Sequence, residues 1–134
     1  MKTFYAMLAA VLLFASCSND DDGQTQKETP LIGEWRLVAT YADPGDGSGD
    51  FETINSSKTV QFESNASFSA NADLCNVFSE VGGSYLGIFS ESEGTITMSD
   101  CSTVPLNFEL IDSNLIINYT SCIEGCKEKY EKLD

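Results

Sequence analysis

Glu34-Trp35-Arg36-Leu37-Val38-Ala39-Thr40-Tyr41 alternates apolar and polar side chains, the period-two pattern of a strand with one buried face. Trp35, Leu37, Ala39 and Tyr41 fall on one face, while Glu34, Arg36 and Thr40 fall mostly on the other. The same reading carried downstream finds seven further strands. Residues 58–63 offer Val60 and Phe62, and residues 66–72 offer Phe68 and Ala70, with Ser64-Asn65 as the turn between them. Residues 84–90, 95–98, 106–111 and 115–119 continue the pattern, and residues 128–133 close it with Tyr130 facing inward. Helical spacing of apolar residues is weak throughout.

The separators Glu93-Gly94 and Asp112-Ser113-Asn114 are short enough for hairpins. Eight antiparallel strands joined mostly by tight turns are expected to form a small all-β, up-and-down barrel, because closure removes the exposed edges that invite aggregation. A two-sheet sandwich is the alternative. Residues 30–134 have the length of one domain with one core.

Leu31-Ile32-Gly33-Glu34-Trp35-Arg36-Leu37 resembles the Gly-x-Trp opening of lipocalins and of the short bacterial lipocalin-like domains. The resemblance implies a lipocalin-like barrel over residues 31–134, in which Trp35 closes one end beneath a basic side chain of the last strand. This chain has no arginine there, only Lys127, Lys129 and Lys132, so the closing partner stays open. The resemblance also places the loop after the first strand over the open mouth.

Cys75, Cys101, Cys122 and Cys126 form an even set in a chain read as exported, which points to two disulfides that staple the domain. Four cysteines permit three pairings. A Gly-containing turn between Cys122 and Cys126 suits a local bridge, leaving Cys75 for Cys101. A four-cysteine zinc site needs close pairs at both ends, and the chain has one. Asp46, Ser48, Asp50 and Glu52 alternate along a glycine-rich loop and partly imitate a calcium loop. They lack the glycine and the distant glutamate of an EF-hand, so a mobile loop of turn formers is the preferred reading.

The chain contains no histidine, which excludes Ser-His-Asp and Cys-His machinery. No phosphate loop is present either. A non-enzymatic protein without cofactor is expected.

The N-terminal segment determines the expected address. Lys2 precedes an uninterrupted apolar run from Phe4 to Ala15, about 18 Å of helix, too short for a hydrocarbon core of about 30 Å. It reads as the h-region of a signal peptide over residues 1–16. Leu13-Phe14-Ala15-Ser16-Cys17 resembles the lipobox of bacterial lipoproteins. That resemblance implies cleavage before Cys17, lipid on its thiol, and a membrane anchor that is effectively permanent. Residues 17–29 then form an acidic, solvated tether. Cys17-Ser18-Asn19-Asp20-Asp21-Asp22 is similar to the acidic signal that sends some Gram-negative lipoproteins to the outer face of the outer membrane, so surface exposure is expected there.

The formal net charge of −14 excludes nucleic-acid binding, because both partners would be strongly anionic. Two functional expectations of different class follow. In the first, the barrel binds a small hydrophobic ligand, with Tyr41, Phe62, Phe68, Phe89, Met98, Phe108, Ile117 and Tyr119 lining its interior. In the second, the same residues fill the barrel, which serves as a non-catalytic interaction or inhibitor module docking an envelope or surface protein.

Overall fold

The structure, a computed structural model, describes residues 29–101 and 104–134. The segments read as a signal peptide and tether, with Cys17, lie outside the described residues up to residue 28. Nine strands follow in order: β1 (Gly33–Ala42), β2 (Asp50–Thr53), β3 (Thr59–Phe62), β4 (Ser67–Ala72), β5 (Val81–Ser90), β6 (Thr95–Met98), β7 (Leu106–Ile111), β8 (Asn114–Tyr119) and β9 (Cys126–Lys132). All neighbouring pairs are antiparallel, and β9 returns to pair with β1. The result is a closed eight-stranded up-and-down barrel, not a sandwich.

The ninth strand shares an edge. β3 pairs with the first half of β1, from Gly33 to Arg36, whereas β2 pairs with the second half, from Ala39 to Ala42. β2 sits inside the stretch read as a loop. Its glycine-rich approach hid four residues whose strand conformation comes from pairing with β1 rather than from local pattern.

One register shift corrects the sequence reading. Leu37 pairs with Tyr130, but Ala39 pairs with Lys129, so Val38 is an extra residue in β1. A bulge of this kind reverses the facing of everything beyond it. Thr40 therefore stands opposite buried Glu128, while Ala39 and Tyr41 stand opposite Lys129 and Lys127, Tyr41 half-exposed on the outer face and Ala39 still buried, beside Thr53 of β2. There Phe51 packs 5.4 Å from Tyr41, and the Lys129 ammonium lies 4.3 Å from the Phe51 ring.

The interior is a continuous apolar cluster running from Leu31 and Trp35 through Phe62, Phe68, Ile96, Leu115 and Ile117 to Tyr119 and Tyr130. Phe62 is its hub, with Phe68, Phe89 and Phe108 edge-on at centroid distances of 4.9, 4.9 and 5.4 Å. Edge-to-face pairs add about 0.5–1.5 kcal/mol each beyond their burial. Gly87 permits the close approach of β5 and β6: it pairs with Phe68 and Met98, and a Cβ there would lie 2.5 Å from the Thr97 carbonyl oxygen.

Trp35 closes one end. It is buried, its Nε1–H donates to the Leu31 carbonyl at 2.9 Å, and Lys132 Nζ lies 5.7 Å from its ring. Lys132 also donates to the Pro30 carbonyl at 2.9 Å. Of the three lysines on β9, Lys132 is thus the basic partner of Trp35, a cation–π contact. The opposite end carries both disulfides, Cys75–Cys101 and Cys122–Cys126, with Cα separations of 5.3 and 5.7 Å. The first ties the β4–β5 loop to the β6–β7 loop, and the second pins the turn between β8 and β9.

Candidate functional site

The disulfide-bearing end is the open one. Between the stretch after β2 and the end of the β4–β5 loop lies a cleft of about 370 Å³, lined by Leu37, Thr40, residues 54–57, residues 78–81 and Glu128. Its apolar walls are Leu37, Ile54, Phe78 and Val81. The Val38 bulge builds one wall, because it turns Thr40 inward beside Glu128. Phe78 is 41% exposed and holds a φ of 58°. A bulky residue in that region is strained, and such strain collects where a ligand or partner is gripped. Phe78 and Thr40 also border a second furrow of about 270 Å³, formed with Ala42, Pro44, Ser48, Gly49, Asp50 and Glu52 of the loop and β2.

Behind the cleft sits a buried polar network. Lys58 and Glu128 are 1% and 0% exposed, and Lys58 Nζ donates to Glu128 Oε1 at 2.8 Å. Tyr119 and Tyr130 each donate a hydroxyl to Glu128 Oε2 at 2.6 Å. Burial, followed by the charge of Glu128, pushes both phenols well above the ordinary tyrosine value, so they remain neutral donors. A buried ion pair rarely adds stability over a well-packed apolar pair. Neither Lys58 nor Glu128 was singled out from sequence. A signal existed: Glu128 occupies the inward parity set by Cys126 and Tyr130.

The eight residues expected to line a ligand cavity lie elsewhere. Phe62, Phe68, Met98, Ile117 and Tyr119 belong to the packed interior, and Phe89 and Phe108 pack against it. The bulge places Tyr41 outside, with its hydroxyl 3.3 Å from Asp43 Oδ2. None of the eight borders the cleft.

The calcium-like loop does not gather its carboxylates. Among the described residues no group of three acidic or cysteine side chains is placed to hold a metal ion. The acids serve the backbone instead. Asp43 Oδ1 accepts from the N–H groups of Gly45 at 2.7 Å and Gly47 at 3.1 Å, and Asp46 Oδ1 accepts from Ser48 N–H at 2.9 Å. The Gly45 bond, despite some burial, holds the Asp43 carboxyl below its ordinary range, and Ser48 does the same for Asp46. These are Asx turns that shape the loop beside the mouth.

Fold and site together describe a small disulfide-stapled barrel, filled at its tryptophan end and open at the other over a buried ion pair. Comparison with protein-family models, with curated proteins and with solved structures finds no match for the chain.

Proposed function

We propose that this chain is a membrane-anchored envelope lipoprotein whose barrel binds a small, largely apolar molecule at its open end. The observation that carries the ligand reading is the cleft of about 370 Å³, with four apolar walls above the Glu128 network. Binding sites of small molecules combine mostly apolar walls with a few placed polar groups, within about 300–1,000 Å³. Because the aromatic core is filled, the molecule sits in the mouth and not along the barrel axis. Attachment rests on the lipobox at Cys17, and surface exposure on Asp20, Asp21 and Asp22.

A second reading, an interaction module, is favoured by one observation. Leu86 and Ile88 on the outer face of β5 are 61% and 63% exposed. Their cross-strand neighbours are Ser69 and Ser67 on β4 and Thr97 on β6. An uncharged strip on so acidic a protein suits a protein partner.

Amide chemical-shift mapping with the small-molecule fraction of an envelope extract separates the two. The ligand reading expects shifts at residues 54–57 and 78–81. Silence there, with shifts around Leu86 and Ile88 on adding envelope protein, would replace it with the interaction reading.

A further inference from the structure

We infer that the mouth cleft selects an organic ammonium, an amine with a short apolar body, over a carboxylate of the same size. The inference rests on the ligand-binding reading of the mouth and names the chemistry of its occupant.

The charges around the cleft set the selection. Glu80 and Glu128 line it, and no lysine or arginine does. Lys58 neutralises Glu128 from behind, which leaves Glu80 in excess. Across Phe78 and Thr40, the adjoining furrow adds Asp50 and Glu52, again with no cation in its lining. The Lys58 ammonium, 3.5 Å from the Ser79 carbonyl, is already paired with Glu128, so a carboxylate approaching the rim meets the like charge of Glu80, Asp50 and Glu52, whereas an ammonium is attracted there.

The acceptors suit the same group. An ammonium brings three N–H donors and no acceptor. Glu128 is fully buried, and its Oε2 takes two hydrogen bonds and its Oε1 one, so the acceptors open to a bound group lie on the cleft walls. The side chains of Asn55, Ser57 and Glu80 offer oxygens there. The apolar body has Leu37, Ile54, Phe78 and Val81 to lie against. At about 30 Å³ for each water-sized group, a cleft of about 370 Å³ takes a short alkyl or single-ring amine, not a long-chain lipid.

The test titrates the mature protein with octylammonium, octanoate and octanol by calorimetry, at low and high salt. Octylammonium is expected to bind at least tenfold more tightly than octanoate, and to weaken as salt rises. Glu80→Gln, an exposed rim substitution that leaves the core untouched, is expected to weaken octylammonium roughly two- to fivefold, the range of one exposed charge pair, without affecting octanol. Nα-acetyl-lysinamide distinguishes sources: tighter binding than octylammonium assigns the ammonium to a partner's lysine side chain, and weaker binding assigns it to a free amine. Octanoate or octanol binding as tightly as octylammonium overturns the ammonium selection while leaving a ligand-binding mouth. Binding of none of them overturns both readings.

Discussion

Lys58 Nζ and Glu128 Oε1 meet 2.8 Å apart inside the barrel, across 70 positions of sequence. Lys58 immediately precedes β3 and Glu128 lies on β9, strands that flank β1 on opposite sides, so only the closed ring brings the two together. Breaking a buried pair strands the other charge and costs about 3–5 kcal/mol. Lys58→Met and Glu128→Gln are each expected to lose that much in urea unfolding. The double variant is expected to lose clearly less than the two losses combined. Strict additivity would show that the pair does not interact as described.

Tyr119 and Tyr130 give a pH signature. Their folded-state values lie above the unfolded value of about 10. Below about pH 10 both states hold these protons, and the contribution to stability is fully present. Above it the unfolded chain releases protons that the folded chain keeps, so stability falls as pH rises, by up to about 1.4 kcal/mol per pH unit for each phenol. Ultraviolet titration should show these two tyrosines ionising only as the protein unfolds. Smooth ionisation near pH 10 with the fold intact would contradict the buried network.

The two disulfides close loops of different length, with sequence separations of 26 and 4. Chain entropy assigns about 3.5 kcal/mol to the longer and about 2 kcal/mol to the shorter. Replacing Cys75 and Cys101 by Ser is therefore expected to lower the unfolding midpoint more than replacing Cys122 and Cys126. The reverse order would mean that native packing around the β8–β9 turn outweighs loop closure.

Much of the fold was legible because barrel strands obey a local rule. Alternation around Trp35, Phe62, Phe68 and Tyr130 located all eight barrel strands, and the even number of cysteines, with the Gly-containing turn between Cys122 and Cys126, led to both bridges. What escaped was non-local. The bulge at Val38 has no composition of its own, and its existence depends on registers with β2, β3 and β9 together. β2 was hidden by the glycines before it. The site suffered most. Aromatic residues such as Phe89 and Phe108 look alike whether they fill a core or line a cavity, and the decision rests on how closely Phe62 meets them. Lys58 and Glu128 become a pair only through closure.

Attachment is tested in the native host. Cys17→Ala is expected to release the protein from the membrane fraction, and substitution of Asp20, Asp21 and Asp22 by Ala to protect it from protease added to whole cells. Retention in the membrane, or unchanged shaving, would remove the lipid anchor or the acidic export signal respectively.

The central claim is that the mouth holds a small molecule, and native mass spectrometry of the mature protein purified from envelope extract tests it most directly. The account predicts a reproducible extra mass, lost on denaturation, of a size that a cleft of about 370 Å³ can hold. A mass equal to the acylated polypeptide less four hydrogens, before and after denaturation, would confirm both disulfides and contradict the ligand.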